Sequence, residues 1–226
     1  MLAADAYAAQ AAHAGCWESS LTAACCHTFA YRVLKRALDV VLSGAGLLLL
    51  SPLFVLLGAA VKATSKGPVF YRWHVLGAQG RTFTGYKFRS MAENADALRQ
   101  RLWGRNERNG PIFKVTHDPR VTPVGRFLRR FSLDELPQLW SVLKGDMSFV
   151  GPRPVFPSEW EHFEGWHRRK LSVKPGAVSL WHVRGRTKEF SECIRLDLDY
   201  IDNWSIWLDL KILPKAVCYV LSGKNC

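Results

Sequence analysis

The longest apolar run in the chain lies between Val40 and Val61, where no charged residue interrupts about 22 positions, enough to span a ~30 Å hydrocarbon core as one helix. Ser51-Pro52 falls at its middle, where proline removes a backbone hydrogen bond and clashes with the preceding turn. Both flanks are basic: Arg32, Lys35 and Arg36 precede the run, and Lys62, Lys66 and Arg72 follow it. Positive flanks favour the cytoplasmic side, so both ends are expected on that side. Two halves of about 11 residues, each ~16 Å long, suit a re-entrant helix that enters one leaflet, breaks at Ser51-Pro52 and returns. The serine hydroxyl is expected to help satisfy carbonyls that the proline frees. A single spanning helix and a buried helix of a soluble domain are the alternatives the pattern leaves open.

Beyond this run the periods change. Alternation over Val69–Val75 and Thr82–Phe88, joined by the glycine-bearing turn Gly77–Gly80, predicts a β-hairpin. Glu93–Trp103 predicts a charged surface helix, and "GRNERNGP" a loop. Two short helices are expected within "DPRVTPVGRFLRRFSLDELPQLWSVLKGD", and one amphipathic helix in "SEWEHFEGWHRRKL". The chain closes on "RLDLDYIDNWSIWLDLKILPKAVCYVL", read as one long helix or two broken near Pro214, suited to a lipid surface or to a plain core. The fold class is α+β, mainly helical: a compact cytoplasmic domain with a β-hairpin, anchored by the re-entrant helix. Residues 1–30 read as a variable tail, 31–68 as the membrane helix with its flanks, and 69–226 as the remaining domain with interfacial amphipathic helices.

Composition adds three constraints. The formal charge of +12 favours anionic partners: nucleic acid, acidic lipid or phosphorylated metabolites. Nine tryptophans suit a membrane interface as well as an ordinary core. The six cysteines form no C-x-x-C pair, which argues against zinc and for a reducing compartment. The alanine-rich first 30 residues carry no Lys or Arg, unlike the start of a secretory signal.

The chemistry concentrates at Asp134 and Glu135. Ser132 and Glu135 have the spacing of a capping box, so a helix start explains the acids without any reaction. Their neighbours point elsewhere: Arg120, Arg126, Arg129, Arg130, Lys144 and Arg153 are six cations around two acids. An arginine cluster at a helix N-terminus receives phosphate. Carboxylates inside such a site repel the substrate unless they hold Mg²⁺ or one attacks phosphorus.

The block "KFRSM … DPRVTPVGRFLRRFSLDELPQLWSVLKGDMSFVGPRP" closely resembles the bacterial sugar transferase family, monotopic phosphoglycosyl transferases acting on a polyprenol phosphate. The resemblance runs from about Tyr31 to Val220 and includes "KRALD", the Ser-Pro break, "GPVFYR" and "LDYIDNWSIWLDLKIL". It implies the compact catalytic unit, without the further membrane helices and extra domain of larger members. It implies a nucleophile at Asp134, a Mg²⁺ ligand at Glu135, and phosphate-contacting Arg129. It also implies substrate-binding basic residues at Lys87, Arg89, Arg153 and Arg186, and the membrane break at Ser51 and Pro52. The implied reaction moves a sugar-1-phosphate from a UDP-sugar to polyprenol phosphate and releases UMP. The partners it implies are the two substrates, inner-membrane lipid and a second copy of the chain in a homodimer, with no nucleic acid, at the cytoplasmic face of the bacterial inner membrane.

One region departs from the family pattern P-G-x-T-G-x-W-Q-V-x-G-R: here Val178, Ser179 and His182 replace threonine, glycine and glutamine, and Val75 stands where a basic residue is usual. These departures motivate a rival reading, a catalytically silent scaffold of a glycan-assembly complex. A membrane-anchored nucleic-acid binder is a second rival, which leaves the dyad idle and lacks a recognisable motif. "DLD" at Asp197–Asp199 has the spacing of a metal-binding pair but reads better as a solvated helix face.

Overall fold

The computed structural model of the chain describes residues 29–184 and 187–223. Arg186 and the first 28 residues therefore lie outside the described residues.

Helix α1 spans Phe29–Leu49 and α2 spans Ser51–Thr64, with a bend of 61° between them. Neither is by itself long and apolar enough to cross a membrane. The break falls where the sequence places it, and its chemistry is local. Pro52 opens α2, where its missing N–H costs least. The donor that Pro52 cannot supply to the Leu48 carbonyl is replaced by Ser51 Oγ, which donates to that oxygen at 2.8 Å. The halves are unequal, 21 and 14 residues rather than about 11 each, because α1 continues back through the basic flank. Val33, Leu34, Val41, Leu48 and Leu49 of α1 and Val55 and Leu56 of α2 are exposed.

The basic flank does more than carry charge. Lys35 Nζ lies 2.5 Å from Asp209 and 3.1 Å from the Val150 carbonyl. Arg36 donates to the Val142 and Leu143 carbonyls, both at 2.6 Å. Asp39 accepts from Ser148 Oγ and Phe149 N–H. The "KRALD" stretch is thus the joint that fixes α1 to the rest of the molecule. Further along, Ser43 is buried, and a Cβ on Gly46 would sit 3.2 Å from Leu139, so "SGAG" marks close helix packing.

Strands β1 (Phe70–Leu76) and β2 (Thr82–Phe88) form the expected antiparallel hairpin, one residue displaced on the first strand. Two elements come out shorter than their patterns predict. Glu93–Trp103 becomes the four-residue α3 (Ala95–Leu98) and a 3-10 segment, since only Ala95 is buried to hold it. Next come α4 (Pro123–Arg130) and α5 (Gln138–Lys144), the two short helices expected. A parallel pair that the sequence did not suggest then joins β3 (Ser148–Val150) to β4 (Gly176–Val178). Between these strands, "SEWEHFEGWHRRKL" breaks into α6 (Pro157–Trp160) and a 3-10 segment, Gly165–Ser172. His167 Nδ1 accepts from the Glu164 N–H and fixes that break.

Helices α7 (Leu180–Arg184), α8 (Phe190–Asp202) and α9 (Ile206–Leu221) complete the fold. The C-terminal break falls before Ser205, not near Pro214, because Ser205 Oγ caps the new helix by accepting from Leu208 N–H at 3.1 Å. Pro214 sits inside α9 without ending it.

Three apolar clusters support this frame. One gathers Leu76, Val155, Leu171, Trp181 and Ile194; another gathers Val150, Leu180, Tyr200 and Ile212. The third packs Leu57 and Val61 of α2 against Phe88 and Leu128. It therefore ties α2 directly to the hairpin and to α4.

Candidate active site

The hairpin builds one wall of the site. In its register Tyr71 faces Lys87 and Trp73 faces Gly85, so alternate positions 71, 73, 85 and 87 share a face. A Cβ on Gly85 would lie 2.5 Å from Trp73 Nε1, so only glycine lets the indole cross the sheet. Lys87 Nζ then sits 4.6 Å from the Trp73 ring centroid and 2.6 Å from Glu135 Oε1.

The opposite wall comes from α4 and the turn after it. Thr122 caps α4 by accepting from Gly125 N–H, and its own N–H donates to the Ser90 carbonyl. A Cβ on Gly125 would lie 1.9 Å from that carbonyl oxygen, so the helix approaches residue 90 as closely as a backbone can. One turn later Arg129 Nε donates to Ser90 Oγ at 2.9 Å. Ser132 follows in the left-handed region with φ 49°, and Leu133–Glu135 form a 3-10 turn.

The capping box expected from the S-x-x-E spacing does not form. The Glu135 N–H is taken by the Ser132 carbonyl at 3.1 Å, not by its hydroxyl. Nor does the dyad sit at the start of an α-helix: α5 begins only at Gln138, after Pro137.

A cavity of about 530 Å³ opens between these walls, lined by Trp73, Lys87, Arg89, Ser90, Arg129 and Asp134 among others. A second, of about 690 Å³, shares Met91 and Arg129 with it and adds Arg126, Lys114 and His117. Asp134 is buried. Burial and the neighbouring Glu135 push its pKa up to about 6, while Lys87 and Arg129 pull it down.

Four of the residues singled out in the sequence therefore line one cavity: Lys87, Arg89, Arg129 and Asp134. Glu135 reaches it through Lys87, and its other side borders a smaller apolar pocket with Val178 and His182. Arg89 donates to Ser65 Oγ and to the Ser65 carbonyl at 2.8 Å, coupling the cavity to the end of α2. Its Nε and Nη1 are buried without a partner among the described residues. Arg153 is differently placed. Its guanidinium forms a two-point pair with buried Glu159, at 3.0 Å for each contact, and it does not line the cavity.

The six-cation count also changes meaning. Arg120 pairs with Asp118, Lys144 with Asp146 and Arg153 with Glu159, so half of that charge has other acids as partners. Arg129 is the arginine whose charge acts on Asp134.

Sequence reasoning missed Trp73 and Ser90. The strand alternation contained Trp73, because it lies two residues from Tyr71 and opposite Gly85. Ser90 stood in "KFRSM" without a role of its own, since what it does is hold a residue 39 positions away.

A magnesium ion would find a compatible donor set at the dyad. Two adjacent carboxylates offer hard oxygens, and a nearby divalent charge would relieve the strain of ionising buried Asp134. No group of three or more acidic, His or Cys ligands occurs among the described residues, so substrate oxygens and water would complete the shell. The other candidates are structural. Asp197 is fully buried, pairs with Lys170 and accepts from Arg153 N–H, while half-buried Asp199 pairs with Arg184. "DLD" is thus half core and half surface. Ser179 N–H and His182 Nδ1 bond at 3.0 Å, so two of the family departures contact each other.

The family model for bacterial sugar transferase matches residues 30–223. The chain is 42% identical over 199 residues to the undecaprenyl-phosphate galactose phosphotransferase of Salmonella typhimurium, covering 84% of this chain and 41% of that protein. It is 42% identical over 193 residues to the UDP-glucose:undecaprenyl-phosphate glucose-1-phosphate transferase of Klebsiella pneumoniae, covering 80% and 38%. It is 40% identical over 188 residues to the exopolysaccharide production protein ExoY of Sinorhizobium fredii, covering 81% and 83%. The chain spans about two fifths of the length of the first two relatives. With a match from the first turn of α1 to the end of α9, the chain belongs to the bacterial sugar transferase family.

Proposed function

We propose that the protein transfers a sugar-1-phosphate from a UDP-sugar to a polyprenol phosphate, undecaprenyl phosphate in its relatives' names, and so initiates the assembly of a polysaccharide or glycan. The observation that carries this reading is Asp134: a buried carboxylate with a pKa near 6 in a cavity whose other charged groups include Lys87, Arg89 and Arg129. A surface ion pair would not need that burial, and a structural acid would be expected to pair with one of the arginines directly.

In the proposed reaction an Asp134 carboxylate oxygen attacks the sugar-bearing phosphorus. The bond between that phosphorus and the bridging oxygen breaks, its electron pair leaves with UMP, and the phosphosugar remains on the aspartate. A phosphate oxygen of the polyprenol phosphate then attacks the same phosphorus and the carboxylate departs. Arg129, oriented by Ser90, and Lys87, oriented by Glu135 and Trp73, neutralise the oxygens of the transferring group. Glu135, beside Asp134, is the residue that would hold Mg²⁺, which supplies charge stabilisation to the diphosphate. The acceptor needs no base, because a phosphate monoester with a second pKa near ~6 is mostly a dianion at neutral pH.

Membrane placement belongs to the same proposal. The α1–α2 bend, with exposed aliphatic residues on both arms, supports a re-entrant element that brings the cavity to the cytoplasmic face of a bacterial membrane. Incubating detergent-solubilised protein with Mg²⁺ and individual UDP-sugars, with UMP measured, tests the reaction. Turnover with ping-pong kinetics, and none in Asp134→Asn, is the expected result; a compulsory ternary complex would exclude the covalent route.

A further inference from the structure

A third cavity, of about 480 Å³, lies away from the dyad at the root of α1, where the basic flank gives way to the apolar run. Its lining includes Arg32, Arg36, Asp39, Ser172, Lys174 and Trp204. The charges do not cancel. Lys35, also in the lining, is taken up by Asp209, and Asp39 offsets one more cation. Arg36 spends its donors on two backbone carbonyls, which leaves its charge unmatched by a carboxylate contact. Lys174 and Arg32 make no ion pair among the described residues. Asp39 and Asp146 act on Lys174 from a distance, yet burial and Arg36 outweigh them and lower the pKa of its ammonium group. Ser172 Oγ is buried with no hydrogen-bond partner, an unmet hydroxyl in a basic cavity.

We propose that this cavity binds the phosphate of an anionic phospholipid headgroup, with Arg32, Lys174 and Ser172 as its contacts. Unmatched cations and an orphan hydroxyl are the complement of a phosphodiester. A lipid, rather than a free anion, fits the position. Val40 and Val41 begin the uncharged run one to two turns beyond Arg36, so the cavity sits at headgroup depth if α1 enters a bilayer. Trp204 in its lining and exposed Trp207 on α9 suit that depth too. The inference rests on the membrane part of the proposed function but not on its chemistry. The site would lock the hinge between the membrane helix and the catalytic domain, because Lys35, Arg36 and Asp39 make that joint beside it.

The test measures thermal stabilisation of the full chain in neutral detergent by dihexanoyl-phosphatidylglycerol below its micelle concentration. Parallel arms use dihexanoyl-phosphatidylcholine and inorganic phosphate. Saturable stabilisation by phosphatidylglycerol alone is expected. Arg32→Gln with Lys174→Gln should raise the half-saturating concentration about 30-fold, at ~1 kcal/mol for each cation. Lys211→Gln with Lys215→Gln, which removes two exposed charges on α9, should leave it unchanged. Should the first pair fail to fold, Ser172→Ala must still weaken the response. An equal response in those variants, or none in the unaltered protein, overturns the site. Equal stabilisation by inorganic phosphate overturns the lipid as its source. Recovery of the unaltered protein in soluble form without detergent would overturn the membrane reading itself, a distinct failure.

Discussion

Lys87 and Glu135 meet at 2.6 Å across the mouth of the cavity, and the same ammonium lies over the Trp73 ring. This cation lowers the pKa of Asp134, the chain neighbour of Glu135, against the burial that raises it. Removing it in Lys87→Gln should therefore move the acid limb of the kcat profile to higher pH. The variant should lose more activity at pH 6.5 than at pH 8. A pH–rate profile with the unaltered acid limb would show that Lys87 does not tune Asp134.

Asp134 also carries a stability cost. Its folded pKa, about 6, stands above the ordinary aspartate value of 3.8, so its contribution favours the fold below pH 3.8 and is lost as pH rises through 6. In metal-free buffer, Asp134→Asn should abolish turnover yet stabilise the protein at pH 8 by about 2–3 kcal/mol. The gain should vanish as the pH falls towards 4. Chemical denaturation in EDTA at both pH values measures it.

Gly125 has no room for a side chain, since a Cβ would meet the Ser90 carbonyl at 1.9 Å. Gly125→Ala should push α4 away from residue 90, destabilise the protein by about 1–3 kcal/mol, and displace Arg129. Ser90→Ala leaves the helix in place and frees only Arg129 Nε. It should impair turnover with little change in melting temperature.

Arg153 forms a two-point pair with buried Glu159. Glu159→Ala should cost about 3–5 kcal/mol by leaving the guanidinium unpaired. Unchanged stability, with activity lost, would return Arg153 to a direct role on substrate.

At the helix break, Ser51→Ala with Pro52→Ala restores a backbone donor to the Leu48 carbonyl and should straighten α1 into α2. Cysteines placed at Arg32 and Lys66 should label from one side of the membrane in the otherwise unaltered chain. In the straightened variant they should label from opposite sides. Labelling from one side in both would separate the break from the topology.

Much of this was written in local pattern. The uncharged run with Ser51-Pro52 at its centre specified a broken helix, because a proline and the hydroxyl beside it act on carbonyls within one turn. Strand alternation specified the hairpin, and with it the wall carrying Trp73 and Lys87. The adjacent carboxylates were visible as a chemical anomaly among cations. What the charge count concealed were the partners. Arg120, Lys144 and Arg153 looked available to a phosphate, yet acids two to six residues away, Asp118, Asp146 and Glu159, take up their charges through local turns. Lys35 and Arg36 looked like topology signals until they met Asp209 and the end of α5. A titrating carboxylate is defined by what excludes water from it and by which charges remain nearby. Local sequence determined that Asp134 and Glu135 stand together; only the packing of α4 against Ser90 and of β2 against the 3-10 turn decided which of them is buried, which is paired, and which cation faces them.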